Sequence, residues 1–344
     1  MSEINERDIA KTFALKQLPN SEVELVGEVP FDAVEAHRKE AIAHIGENAE
    51  FPGFRKGHVP EGVLVSKIGE IAILEEAVEH VISHLYPALV EAHKLDAIGR
   101  PTVAITKLAP GNPVGLTIRT AVFPIFELPD YKKLASAVKE EAPAEVTEDD
   151  VKNAIGAILQ SRSTKKEGTE EMVVPEMSDD FVRTLGEFET VADFTEKLKG
   201  HLKTEKIQSA KEKRRLAITE AIMEKTSMEI PLVFVASEQE KMIAQMKDDI
   251  KRFGMTFEDY LKRVNKTEEV LKGEFEKDAQ KRAKLQLILN SIAEKEEIKI
   301  PAEEIEKEAK HILEHFGDAD RERVHIYVES VQKNERVLQL LESK

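Results

Sequence analysis

From Ser178 to the last residue, apolar side chains recur at spacings of three and four among Glu and Lys, with hardly a break. That period places apolar groups on one stripe of a helix, whereas a half-buried strand needs alternation by two. The second half of the chain is therefore restricted to helices packed on helices. Composition points the same way: charged residues make up 34% of the 344, aromatics only 5%, and Trp is absent. Such a balance suits long, charge-laced helices better than an aromatic-rich sheet or a stacking platform for single-stranded nucleic acid. With 50 Lys+Arg against 66 Asp+Glu, the formal net charge is −16. A body this acidic repels phosphates, so any RNA contact has to come from a small local basic patch.

The first part reads differently. Val23, Leu25 and Val29 alternate with Glu22, Glu24 and Glu28, which predicts a half-buried strand. Pro30 opens a helix through Phe31, Val34, Ala41, Ile42 and Ile45, ending near Gly46 to Asn48. The loop Phe51-Pro-Gly-Phe-Arg-Lys-Gly-His-Val-Pro60 follows. Ile71, Leu74, Val78, Ile82 and Leu85 draw a second helix, disturbed by Pro87 and ending before Gly99-Arg100-Pro101. Val103 and Ile105, then Leu116, Ile118, Thr120 and Val122, predict two strands joined across Pro110-Gly-Asn-Pro113. The fold expected is an α+β N-terminal domain, an antiparallel sheet with helices, followed by a mostly α-helical elongated domain with helical arms. The domain limits expected are 1–130, a linker over 131–177 with one helix, and 178–344. Within the linker, Thr147-Glu-Asp-Asp150 predicts a capped helix start, with acids where the helix dipole favours them.

One internal similarity recurs at an offset of 70: Ile218, Ile222, Glu224, Lys225, Met228, Ile230 and Pro231 correspond to Ile288, Ile292, Glu294, Lys295, Ile298, Ile300 and Pro301. Each copy reads as a helix, a charged turn, and Ile-Pro opening a new helix, with proline at the first helical position. Two copies are too few for a solenoid.

Cys is absent, which excludes disulfides, thiolate metal sites and thiol nucleophiles. Met1 to Leu18 contain no apolar stretch of signal-peptide length, and no stretch approaches a membrane span. A cytoplasmic protein with no membrane partner is expected. No Gly-x-x-x-x-Gly-Lys-Ser/Thr loop and no Gly-x-Ser-x-Gly elbow occurs. His311-Ile-Leu-Glu314-His315 has the His-x-x-Glu-His spacing of inverted zinc proteases, but no third-ligand motif accompanies it, and it reads as a solvated helix face. His80 and His84, four apart, read as a helix edge. No catalytic residue, metal site or cofactor is expected.

The segment Gly53-Phe-Arg-Lys-Gly-His-Val-Pro60 resembles the signature loop of the bacterial trigger factor family of ribosome-associated chaperones, whose pattern is Gly-Phe-Arg-x-Gly-x-x-Pro. Gly99-Arg100-Pro101, the run Val174 to Gly186, and Met228-Glu-Ile-Pro231 followed by Ser237-Glu238 also look like the family. The resemblance implies docking on the large ribosomal subunit, against protein and rRNA near the tunnel exit, through Gly53, Phe54, Arg55, Lys56, Gly57 and Pro60. Phe54 offers apolar contact, Arg55 a planar fork for phosphate or carboxylate, and Lys56 a compact charge. His58 replaces the Lys common in the family. Nascent or unfolded polypeptides are the implied clients, and a second copy of the chain is a further candidate partner. A holder of unfolded chains that uses no ATP needs dispersed, soft apolar groups. Met223, Met242, Met246, Phe253, Met255, Phe257, Ile312 and Phe316 are the residues expected to supply them.

The family's FKBP-type prolyl isomerase domain has no counterpart. Only Ser161 to Met177 stands where it is usually inserted, too short a piece for a core of its own. The reading is an ATP-independent chaperone that is not an enzyme. The alternatives are a non-ribosomal holdase or scaffold, and then a prolyl isomerase or a zinc peptidase.

Overall fold

The computed structural model describes residues 5–48, 59–139, 145–165, 172–317 and 319–343. The chain begins with α1 (Glu6–Ala10), β1 (Ala14–Leu18), β2 (Glu22–Val29), α2 (Phe31–Ala36), α3 (Arg38–Asn48), α4 (Glu61–Ile68) and α5 (Glu70–Ala92). Then come β3 (Ala97–Lys107), β4 (Val114–Val122), α6 (Tyr131–Ala137), α7 (Glu148–Ser161), β5 (Thr164–Lys165), β6 (Met172–Val173) and α8 (Asp179–Arg183). The remainder is helical: α9 (Val191–Lys225), α10 (Leu232–Arg252), α11 (Phe257–Val264), α12 (Glu268–Lys295), α13 (Ala302–His315) and α14 (Arg321–Glu342). The expected class, an antiparallel α+β part followed by a helical part, is what the chain adopts. It forms two compact units, Met1–Phe126 with Ser227–Gln286, and Glu127–Thr226 with Leu287–Lys344.

In the first unit, four antiparallel strands lie in the order β1-β2-β4-β3. Leu25 pairs with Ile118 and Val23 with Thr120, so one face collects Val23, Leu25, Val29, Leu116 and Ile118, all fully buried. Thr120 is the polar member of that face, and its hydroxyl bonds the Tyr86 hydroxyl at 2.7 Å. α5 covers the face with Leu74, Ala77, Val78, Val81, Leu85 and Leu89. The helix runs through Pro87 rather than stopping there. One lost backbone hydrogen bond is outweighed by the buried Leu85 and Leu89 on either side.

Gly99-Arg100-Pro101 lies within β3, where the register shifts between Ile98 and Thr102 and Gly99 adopts φ +73°. A bulge on an edge strand accepts both the left-handed glycine and the proline. Gly27 sits on the buried face of β2 beneath the Phe13 ring, whose atoms come within 2.5 Å of where a Cβ would stand.

In the second unit, Tyr131 at the start of α6 is buried, and its hydroxyl donates to Glu296 at 2.5 Å. The α7 start is the expected capping box: Thr147 Oγ1 accepts from Asp150 N–H, and Asp150 accepts from Thr147 N–H. Lys206 of α9 adds an ion pair to Asp150 at 2.7 Å. Arg215 of α9 bridges Glu335 and Glu342 of α14, which raises the guanidinium pKa further. α13 and α14 pack through Ala309, Val324 and Val328.

The offset of 70 survives in the structure. α9 ends at Lys225 and α12 at Lys295, while Pro231 and Pro301 precede α10 and α13 with φ/ψ of −57/133° and −60/135°. Those angles make each proline the N-cap rather than the first helical residue. Their carbonyls accept from Phe234 N–H and Glu304 N–H. Ile218, Ile222, Ile288 and Ile292, the repeated apolar positions, are all buried.

Gly27→Ala is expected to destabilise the first unit by about 1–3 kcal/mol, because the new methyl overlaps the Phe13 ring inside a closed face. Thermal unfolding followed by circular dichroism reads this directly; an unaltered midpoint contradicts the packing described.

Candidate functional site

Of the signature motif, Gly53, Phe54, Arg55, Lys56 and Gly57 lie outside the described residues, and Pro60 lies within them. What the structure gives is the frame on either side. On the outgoing side, Val59 is 9% exposed and packs with Ile42 of α3, Leu64 of α4 and Ile73 of α5. Pro60 is the N-cap of α4, and its carbonyl accepts from Val63 N–H at 2.9 Å and Leu64 N–H at 3.1 Å. On the incoming side, α3 is held to α5 by Arg38, whose guanidinium donates to both carboxylate oxygens of Glu70. That bond holds the Glu70 carboxyl below the usual glutamate range. A Cβ on Gly46 would stand 3.3 Å from Leu64 Cδ1, so α3 and α4 are already in close contact. Both flanks of the segment are thus fixed on α5.

The second feature is a cavity of about 700 Å³ formed by α10, α11 and the first part of α12. α10 supplies Met242, Met246 and Ile250 at spacings of four, so one stripe of that helix faces the space. α10 ends in a Schellman motif: Gly254 N–H donates to Lys251 O at 2.9 Å and Met255 N–H to Ile250 O at 3.2 Å. The motif needs a left-handed residue, and Gly254 supplies it at φ +74°. The turn brings Phe253 and Met255 onto the rim, where Phe253 is 88% exposed.

α11 then starts at Thr256, whose Oγ1 accepts from Asp259 N–H. Its apolar residues Phe257, Tyr260, Leu261 and Val264 share one face, yet none is fully buried. Tyr260 and Val264 line the cavity, as does Phe275 of α12. Asp249, Arg263 and Arg282 give it charged edges. Gln239 Nε2 donates to the Lys272 carbonyl at 2.7 Å, and Lys247 pairs with Glu268 at 2.9 Å, tying α10 to α12.

Of the eight residues expected to meet clients, Met242, Met246, Phe253 and Met255 converge on this cavity. Phe257 stands beside them at the start of α11, its ring stacked with Tyr260 and 4.8 Å from Lys247 Nζ. The other three belong to the second unit. Met223 is half-buried on α9, Ile312 packs against the Ala309, Val324 and Val328 cluster, and Phe316 is the 66% exposed C-cap of α13. Sequence reasoning missed Tyr260, Val264, Phe275 and Ile250. The 0, 3, 4, 7 spacing of Phe257, Tyr260, Leu261 and Val264 was the available signal for the first two. At His311 and His315 the rings lie 4.7 Å apart, and His315 Nδ1 donates to the His311 carbonyl. No helix among the described residues is long and apolar enough to cross a membrane.

Residues 11–158 match the family model "Bacterial trigger factor protein (TF)", and residues 190–343 match "Bacterial trigger factor protein (TF) C-terminus". The trigger factor of Halothermothrix orenii is 24% identical over 400 aligned positions, covering 91% of this chain and 92% of that protein. That of Bacillus subtilis is 23% identical, covering 85% and 89%. A solved chain from work on promiscuous substrate recognition in folding and assembly by the trigger factor chaperone superposes with a TM-score of 0.54 at 19% identity. It covers 96% of this chain and 99% of its own length.

The Arg38–Glu70 pair carries a pH dependence. Its stabilisation is complete above the free glutamate value of about 4.3 and is lost as pH falls through the lowered folded value. Amide protection in α3 should therefore drop in that acid range. In Glu70→Gln, protection should be lower already at neutral pH and flat across the window, as read by hydrogen exchange. A pH profile identical to the parent's would contradict the pairing.

Proposed function

Because the chain belongs to the bacterial trigger factor family, we propose that it is an ATP-independent chaperone that docks at the ribosomal tunnel exit and shields nascent polypeptides. The observation that carries the holding function is the cavity of about 700 Å³, walled by Met242, Met246, Ile250, Tyr260 and Phe275. Thioether and aromatic walls adapt to different apolar side chains, and charged edges favour solvation when the client leaves. Many small contacts of this kind bind without trapping, which a holder that hydrolyses no nucleotide requires. The promiscuous substrate recognition described for the solved relative fits such a surface.

Docking is assigned to the cationic segment Phe54-Arg55-Lys56, carried within 1–130. A few cations on a body of net charge −16 bind phosphate at one place while the remainder repels it. The packing of Val59 and the α4 cap at Pro60 support this role, because a segment held at its base loses less entropy on binding. Residues 131–177 serve as the linker and 178–344 supply most of the client-binding helices. The cytoplasm, where ribosomes emit nascent chains, is the place of action.

No prolyl isomerase activity of the FKBP type is assigned. The two family models leave only residues 159–189 between them, where the described elements are the end of α7, the two-residue strands β5 and β6, and α8. The alignment with the H. orenii protein runs over 400 positions against a chain of 344, so that relative carries residues this chain lacks.

The test is suppression of aggregation of a chemically denatured client by the full chain. Met246→Glu with Phe253→Glu places two acids on the cavity wall and rim. Client affinity should fall roughly tenfold, about 1.4 kcal/mol, while helix content is kept. Undiminished protection would refute the cavity as the client site. In a proline-limited refolding assay the parent chain should leave the rate at background; acceleration proportional to its concentration would show isomerase activity.

A further inference from the structure

α3 and α5 pack side by side in the first unit, and a run of histidines lies along the seam. His44 of α3 faces Glu76 and His80 of α5, which stand one helical turn apart and so project together. His44 Nδ1 lies 2.6 Å from Glu76 Oε1, and His80 Nε2 lies 3.8 Å from the same oxygen. The three ligand atoms are all within 4.8 Å of one another. His80 Nε2 is shielded from solvent and has no hydrogen-bond partner. An imidazole nitrogen left without water or protein partner is costly, so its position beside a carboxylate and a second imidazole asks for a reason.

We infer that His44, Glu76 and His80 form a binding site for a divalent first-row transition metal, with Zn²⁺ as the reference ion. Two imidazole nitrogens and one carboxylate oxygen are a donor set zinc takes readily, with water completing the coordination. Around a tetrahedral ion with bonds of ~2.0–2.1 Å, donor atoms stand ~3.3 Å apart. Reaching that geometry opens the 2.6 Å contact and closes the longer ones by shifts on the order of 1 Å. His44, with 56% of its side chain exposed, can make the adjustment. A metal on His44 Nδ1 replaces the hydrogen bond that nitrogen now makes with Glu76.

The neighbouring pair is excluded from the ligand set. His37 Nδ1 bonds Glu40 at 2.9 Å, and its ring stacks on His84 at 5.6 Å. Magnesium and calcium favour all-oxygen shells, so the site discriminates against them. A bound ion cross-links α3 to α5 one turn before α3 ends at Asn48.

The test titrates the metal-free full chain with Zn²⁺ against a chromophoric chelator, with thermal unfolding alongside. One equivalent of zinc should be withheld from the chelator, and the unfolding midpoint should rise with zinc. His44→Ala, at an exposed position, should fold as the parent does and weaken that equivalent about tenfold or more. His80→Ala should weaken it at least as much, while the double variant His311→Ala/His315→Ala should retain it. Millimolar Mg²⁺ or Ca²⁺ should not displace the zinc. Failure to withhold any zinc would overturn the assignment. So would an equivalent that survives His44→Ala, vanishes with His311→Ala/His315→Ala, or is displaced by Mg²⁺.

Discussion

One helix carries the first unit. α5 buries Leu74, Ala77, Val78, Val81, Leu85 and Leu89 against the sheet, and Ile73 against α3, α4 and Val59. A single apolar stripe wide enough to serve both partners makes the sheet and the flanks of the signature segment parts of one packed body. Full burial of each such side chain is worth about 1.5–3 kcal/mol, against about 0–1 for the surface ion pairs that decorate the helix. Arg38–Glu70 therefore orients α3 more than it stabilises the fold. The described residues on either side of the signature segment, α3 and Val59, both rest on this one helix.

The second feature of the first unit is held together differently. The cavity between α10, α11 and α12 is apolar, but no residue of α11 is fully buried. That helix leaves its apolar face, Phe257, Tyr260, Leu261 and Val264, only half-covered. Its position is set by local devices instead: the Schellman turn at Gly254, the Thr256 cap, and Lys247 between Phe257 and Glu268.

Much of this was legible in the residues, wherever one periodicity ruled locally. Alternation in β2 and β4, the α5 stripe, the Thr147 capping box and the offset of 70 each report a constraint satisfied within a few residues. What the sequence hid was decided by distant partners. Gly99-Arg100-Pro101 looks like a helix stop, but pairing of β3 with β4 draws it into a bulged edge strand. Pro231 and Pro301 sit one position earlier than expected because their extended ψ excludes them from the helix. Periodicity could not separate Met242 and Met246, which face a cavity, from Ile312, which faces α14, since all three lie on helical stripes. His44 lies 32 residues from Glu76, and only the packing of α3 on α5 joins them.

The proposed tether is a cationic segment that joins an acidic holder of unfolded chains to the ribosome. Co-sedimentation of the full chain with purified large ribosomal subunits, at fixed ionic strength, measures that tether directly. The parent should pellet with the subunits. A variant carrying Phe54→Ala, Arg55→Glu and Lys56→Ala should stay in the supernatant with its helix content unchanged; equal pelleting of the two would contradict the account.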